Sequence, residues 1–209
     1  MLGVDTGFRI ATLESGTTLI TAPMSERASV AVAFMFGIGS RSEDESNSGL
    51  AHFIEHMVFK GGRRYPSAKA VSEEIEGVGG VLNADTDREC TVFWTRVPRE
   101  RLSLALDVLS DMLLHPLVDD AELVKERLVV IEELRMAEDN PQDHVHTVFD
   151  EVMWPGHPLG WDIAGREETV RSFEREQCLA HLRRHYRPDN LVVSIAGAVD
   201  HQEARAVLD

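Results

Sequence analysis

The chain has 209 residues, which is enough for one large domain or two small ones with a substantial apolar core. Hydrophobic residues make up 43% and charged residues 27%, the balance of an ordinary globular protein rather than a disordered one. The formal net charge of −15 is dispersed along the sequence, which argues against nucleic acid or an anionic membrane as the main partner.

The cysteines and the N-terminus point to a reducing location. Cys90 and Cys178 are the two cysteines of the chain, so no disulfide framework is predicted. The first six residues contain no basic segment followed by an apolar run, so no secretory signal is visible, and no stretch approaches the roughly 20 apolar residues of a membrane span. We therefore expect a cytoplasmic protein.

The first part of the chain is rich in predicted strands. Two β-rich runs separated by a Ser-Gly turn predict a hairpin, and the alternating apolar run after it predicts a third, central strand. A polar loop then leads to a short helix that stops at a Lys-Gly-Gly sequence. The predicted ranges are 8–14 and 17–23 for the hairpin, 28–36 for the central strand, 37–48 for the loop and 49–59 for the helix.

The remainder of the chain is mainly helical. The predicted elements are a helix over 67–77, strands over 81–86 and 89–97, helices over 98–114, 121–138 and 140–154, two short helices before 186, a strand over 191–196 and a last helix from 200. Because most strands precede the long helices and one strand returns late, the order favours an α+β fold over a doubly wound sheet. No linker interrupts the sequence, so we expect a single domain over 1–209.

The helix predicted over 49–59 contains the motif H-x-x-E-H. His52 and His56 are four residues apart and therefore project from the same helix face, with Glu55 beside them. Two imidazoles next to a carboxylate are what a zinc ion with an activated water requires, and the order is the inverted form of a zinc-protease motif. The simpler alternative is that the histidines are half-buried polar side chains without a metal.

A catalytic zinc site usually has three protein ligands, so the motif predicts another ligand elsewhere. The helix over 121–138 offers Glu126 and Glu133, which are seven residues apart and lie within roughly 20° of one face. The valines between them indicate that this face points inward, where an unpaired carboxylate would be costly. The periodicity favours Glu133 only mildly, and Glu132 remains an alternative.

Taken together, these segments resemble the pitrilysin family of zinc peptidases. Further matches in the family order are 79–86 with Thr91, then 157–160 and 186–190, so the resemblance extends from about Phe8 to the end of the chain. The combination is specific, whereas no single segment would be. For the fold, the resemblance implies an α+β sandwich in which helices pack on a mixed, mainly antiparallel sheet.

For the site, the resemblance implies that His52, His56 and Glu133 bind zinc. It implies that Glu55 is the general base and that Glu126 supports the catalytic centre from outside the ligand set. The implied activity is that of a zinc-dependent endopeptidase acting on extended or unfolded peptides.

The resemblance also implies a substrate-binding strand and a partner. Asn83, Ala84 and Thr86 match the strand along which the substrate lies, while Asp85 and Cys90 are less usual at their positions and leave the substrate preference open. Family peptidases have two similar halves that enclose the peptide, and this chain matches only the first, N-terminal half. A second homologous half, in the same longer chain or in a separate subunit, is therefore expected, and homo-oligomers are possible.

Two other sites compete with this interpretation. Cys90 with a histidine would make a thiol hydrolase, but a cysteine in a β-rich run is typically a small core residue. Asp143, His144 and His146 would make a second metal site, but residues two apart on a helix face in different directions.

Two other functions remain open. A half of this kind could bind zinc and serve as an inactive structural partner that needs a second half for activity. Related-fold lyases that act on S-ribosylhomocysteine also use an H-x-x-E-H helix, although the spacing of Glu133 and the segment around Asn83 match the peptidases.

Overall fold

The fold is a mixed six-stranded β-sheet with α-helices packed against it. The computed structural model describes residues 7–208; residues 1–6, where no secretory signal is expected, and residue 209 lie outside the described part. The spatial strand order is β1-β2-β6-β3-β5-β4, and the neighbours are antiparallel except for the parallel pair β2 and β6. The predicted α+β fold with a mainly antiparallel sheet is confirmed. The strands are β1 Arg9–Thr12, β2 Thr18–Pro23, β3 Ser29–Phe36, β4 Val81–Thr86, β5 Thr91–Pro98 and β6 Leu191–Gly197.

Between residues 7 and 208 the structure has eight α-helices, close to the predicted ranges. They are α1 Leu50–Val58, α2 Ala68–Glu76, α3 Leu102–Leu114, α4 Asp120–Asp139, α5 Pro141–Met153, α6 Glu167–Ser172, α7 Arg175–His185 and α8 His201–Leu208. In this part of the chain, no helix combines the length and the apolar character that crossing a bilayer would need.

The largest difference between a predicted and an observed boundary is at the start of α3. The helix expected to open at Pro98 begins at Leu102, because Pro98 is the last residue of β5, has an extended ψ of 148° and lies opposite Ser29 of β3. A single 3-10 turn, Arg99–Arg101, connects this strand to α3. Proline at a helix start is common, but the strand register takes precedence here.

The core lies between the sheet and the helices. Val30, Val32, Phe34 and Phe36 alternate along β3 and are all buried, since successive side chains of a strand point to opposite faces. Helix α1 presents buried Phe53, Ile54, Met57 and Val58 to the same core. This apolar packing fixes α1 and leaves its other side for polar residues.

The opposite face of the sheet is more open. Ile10, Met35 and Val81 point to this face according to the strand register, and they are 60%, 41% and 42% exposed. Exposed apolar residues on one sheet face are typical of a surface that another structural element covers.

Candidate metal centre

Helix α1 is held at its N-terminus by a residue of the preceding loop. Gly49 has a left-handed φ of 92° and approaches the backbone of Ala164 so closely that a Cβ would collide with it. The buried carboxylate of Glu43 accepts hydrogen bonds from the backbone N–H groups of Gly49 and Ala51, each at 2.7 Å. Glu43 therefore satisfies donors that no N-cap side chain reaches, which fixes the helix direction.

The polar side of α1 faces α4 and the edge strand β4. Both elements contact α1, and they bring three sequence-distant carboxyl or hydroxyl side chains to it. Of these, Glu126 and Glu133 come from α4 and meet His56, while Thr86 comes from β4 and meets Glu55. The site is thus built at the junction of two helices with one strand.

Helix α4 places a different glutamate on each ring nitrogen of His56. Nδ1 of His56 lies 3.2 Å from Oε2 of Glu126, and its Nε2 lies 3.3 Å from Oε2 of Glu133. Glu132 is exposed and pairs with Arg135, so the alternative that the sequence left open points away from the histidines.

The prediction that Glu133 lies on an inward, buried face is wrong in one respect. Only Glu126 is buried, at 5% exposure, whereas 45% of the Glu133 side chain is exposed. Helix α1 covers the part of the α4 face that carries Glu126. It does not cover the next two turns, so Glu133 lies at the edge of the site and is exposed to solvent.

His52, His56 and Glu133 form a group that can hold a metal ion. One ligand atom from each residue lies within 4.8 Å of the others, so a single ion can reach all three after small adjustments. Two imidazole nitrogens and a carboxylate are the donors of catalytic zinc sites that keep a further position open. Nδ1 of His52 is buried with no hydrogen-bond partner in the described chain, an expensive state for a polar atom in a purely structural core. The donor set therefore fits zinc.

The two histidines differ in their protonation. Burial, with a smaller contribution from the neighbouring His56, lowers the pKa of His52 to about 4, so His52 is neutral near pH 7. Burial alone would also lower the pKa of His56, but Glu126 and Glu133 outweigh it and raise this pKa above its ordinary value. A neutral imidazole is the form that binds a metal.

Glu55 has the environment of a general base. Burial raises the pKa of its carboxyl group above the usual range, and the hydrogen bond donated by the Thr86 hydroxyl opposes this rise. A carboxyl pKa moved toward neutrality suits a group that must accept and release a proton during one cycle.

The three predicted substrate-binding residues do not share one face of β4. Thr86 is 8% exposed and contacts Glu55, and Ala84 is half-buried on the same side of the strand. Asn83 points to the opposite face and is exposed. β4 is at the edge of the sheet, so one side of its backbone has no neighbouring strand in the described chain, and the N–H of Ala84 there donates to Oδ1 of Asn83.

Lys60 contacts the site and was missed in the sequence. Its Nζ lies 2.6 Å from Oε1 of Glu126, the carboxylate whose other oxygen faces His56. The spacing of four residues from His56 could have indicated Lys60. However, α1 ends before Lys60, and its partner, Glu126, comes from α4.

The alternative sites find little support in the geometry. The half-buried thiol of Cys90 has a pKa that burial and nearby acidic residues raise, which opposes a reactive thiolate. His144 and His146 are exposed, and neither belongs to the metal-capable group found within residues 7–208.

The chain is similar in sequence to known zinc proteases. Residues 19–167 match the family model described as insulinase, peptidase family M16. An uncharacterized zinc protease of Rickettsia bellii is 37% identical over 94% of this chain and 47% of its own length, and YmxG, an uncharacterized zinc protease of Bacillus subtilis, is 38% identical over 90% and 46%. The β subunit of the mitochondrial-processing peptidase of Saccharomyces cerevisiae is 34% identical over 94% and 42%. The chain spans about half the length of these relatives.

Solved structures share the fold. A protease from Helicobacter pylori superposes with a TM-score of 0.91 at 24% identity, covering 96% of this chain and 48% of that one. Pitrilysin superposes with a TM-score of 0.86 at 26% identity, covering 96% and 22%. The first half of the periplasmic protease PqqL from Escherichia coli superposes with a TM-score of 0.87 at 24% identity, covering 98% of this chain and 45% of that one.

Proposed function

The chain belongs to the insulinase family of peptidases, family M16, and from this premise we propose that it is the zinc-binding half of a metalloendopeptidase. The proposed substrates are extended or unfolded peptides. The observation that carries the proposal is the group of His52, His56 and Glu133, with Glu55 on the same helix between the histidines.

Each residue of the site would have a separate role in peptide hydrolysis. His52, His56 and Glu133 would hold zinc, which when bound lowers the pKa of a water toward about 7 and polarises the scissile carbonyl. Glu55 accepts the proton from the attacking water and delivers it to the leaving amine. Thr86 fixes the carboxylate of Glu55 through its hydroxyl group, and Glu126 orients the ring of His56.

The edge strand β4 supports binding of an extended peptide. A peptide that adds to the outer edge of β4 would gain backbone hydrogen bonds without any demand on its sequence. Asn83 is exposed beside this edge. Thr86, at the end of the strand, donates a hydrogen bond to the general base Glu55. Such a path would bring a scissile bond toward the metal-binding group.

We further propose that activity requires a second homologous half. The relatives are about twice as long as this chain, and the apolar open face of the sheet offers a surface for another structural element. A zinc-binding half without activity of its own is therefore the second candidate function. The predicted cytoplasmic location stays a prediction.

The proposal is tested with Glu55→Gln in the complete two-half protein. We expect zinc content to remain at the wild-type level, while turnover of an unfolded peptide falls roughly 10²- to 10⁴-fold because the general base is lost. Unchanged turnover would contradict the assigned role of Glu55. The same measurement on the isolated 209-residue chain separates an active half from an inactive one.

A further inference from the structure

Glu126 connects two side chains of the motif segment through its two carboxylate oxygens. Oε1 lies 2.6 Å from Nζ of Lys60, and Oε2 lies 3.2 Å from Nδ1 of His56. His56 in turn directs Nε2 toward Glu133, at 3.3 Å. The four side chains form a continuous line from a lysine at the end of α1 to the metal-binding group.

We infer that Lys60 is a positioning residue of the metal centre: it holds the Glu126 carboxylate in the orientation that keeps Nε2 of His56 directed at the metal position. This inference rests on the proposed function, because it assigns a role in zinc binding at the same site. Lys60 touches neither the metal-binding atoms nor the substrate strand in any contact found in residues 7–208, so it acts through Glu126.

The backbone at Lys60 is fixed. Its N–H donates to the carbonyl of Met57, closing the last turn of α1, and the next residue, Gly61, has a left-handed φ of 121°. A Cβ at Gly61 would collide with the backbone of the 65–67 segment, and its carbonyl accepts a hydrogen bond from the N–H of Leu117. The ammonium group therefore extends from an anchored turn and not from a mobile loop.

The surroundings of Glu126 require a positive charge. This carboxylate is 5% exposed, and a buried charge is costly unless it is paired. His56 must be neutral when it binds a metal through Nε2, so it can donate a hydrogen bond from Nδ1 but supplies no charge. Lys60, whose side chain is only 22% exposed, supplies the charge while its aliphatic part packs against the protein.

Removal of this charge should weaken zinc binding. Partners that orient a ligating histidine typically contribute 10- to 100-fold in metal affinity. Because Lys60 acts one contact further away, we expect Lys60→Met to weaken zinc binding by about tenfold, at the lower end of that range. Lys60→Arg keeps the positive charge and should retain most of the affinity.

The test measures the zinc dissociation constant of the 209-residue chain by competition with a chelator. Lys69→Met is the matched control, because Lys69 pairs at 3.5 Å with Glu73 on α2 but is far more exposed than Lys60. The control should bind zinc like the wild type. In a Glu126→Gln background, Lys60→Met should have little further effect on zinc affinity, because the carboxylate through which Lys60 acts on His56 is already absent.

The outcomes separate this inference from the proposed function. If the wild type binds zinc and Lys60→Met binds it equally well, or if Lys60→Met lowers only the thermal stability of the metal-free chain, the inference is overturned and the proposed function stands. Equal weakening by Lys60→Met and Lys60→Arg would also overturn it, because charge would not be the cause. If the wild type binds no zinc, both fail together.

Discussion

His52 and His56 are one helical turn apart on α1, yet their surroundings differ in partners and in charge. The Nδ1 atom of His52 is buried, and the described residues provide it with no hydrogen-bond partner; burial lowers the pKa of this ring to about 4. Both nitrogens of His56 face glutamates, and the pKa of His56 is raised. Burial thus controls the protonation of His52, whereas the carboxylates of Glu126 and Glu133 control that of His56.

The two histidines therefore contribute different properties to a metal site. His52 is neutral across the physiological range, so one of its ring nitrogens has a lone pair available to a metal. His56 is oriented by Glu126, which fixes the ring nitrogen that faces Glu133. Changes around His56 should therefore alter metal affinity, while changes around His52 should alter the pH dependence of stability.

Among changes to residues that contact the two histidines without binding the metal, Glu126→Gln on the His56 side should have the largest effect. The amide keeps the shape of the side chain but removes the charge that orients Nδ1, so zinc affinity should fall by roughly 10- to 100-fold. Chelator competition measures this change. Glu122→Gln on the same helix is the control, and an affinity of Glu126→Gln equal to that of the wild type would refute the orienting role.

The pH dependence of unfolding tests the His52 side. Because the folded pKa is about 4 and the unfolded value is 6.5, the unfolded chain binds more protons between these values. Stability due to neutral His52 is thus complete above pH 6.5 and is lost as the pH falls toward 4, by about 3 kcal/mol for the metal-free chain.

Denaturant titrations from about pH 4 to 7.5 measure this loss as a difference between the wild type and His52→Gln. The difference removes most of the contribution of His56, whose raised pKa contributes with the opposite sign; what remains is the electrostatic coupling between the two rings. His144→Gln removes an exposed histidine and should leave the pH profile unchanged. Parallel profiles for the wild type and His52→Gln would show that burial does not hold His52 neutral.

Thr86→Val should have the smallest effect. It acts on Glu55, the residue between the two histidines, to which the Thr86 hydroxyl donates a hydrogen bond. Loss of the hydroxyl removes a hydrogen bond to Glu55 worth about 1 kcal/mol, so kcat of the complete enzyme should fall roughly fivefold without loss of zinc. Thr95→Val is the control, because the Thr95 hydroxyl bonds to a backbone carbonyl of β4 and not to Glu55. A fall in zinc content in Thr86→Val would mean that the hydroxyl supports the metal group instead.

Much of the site follows from local periodicity. The sequence alone indicates that His52, Glu55 and His56 share one helix face, and that Glu126 and Glu133, seven residues apart, share a face of another helix. The periodicities of apolar residues likewise predict the order of strands and helices along the chain. These features depend on neighbours in sequence.

The remaining features depend on how separate elements pack. The exposure of Glu133 reflects where α1 stops covering α4, and the contact of Lys60 with Glu126 joins the end of one helix to the middle of another. Glu43 reaches the start of α1 from a loop whose composition indicates only polarity. Thr86, expected along a peptide, turns its hydroxyl toward the general base because of the register of β4.

The zinc content of the wild type, Glu133→Gln and Glu132→Gln tests the metal group most directly. The two glutamates are adjacent on α4, but one is in the group with His52 and His56 and the other pairs with Arg135 at the surface. We expect about one zinc ion per chain for the wild type and for Glu132→Gln, with a large loss for Glu133→Gln. If Glu133→Gln held zinc as tightly as the wild type, the assignment of the third ligand would be wrong.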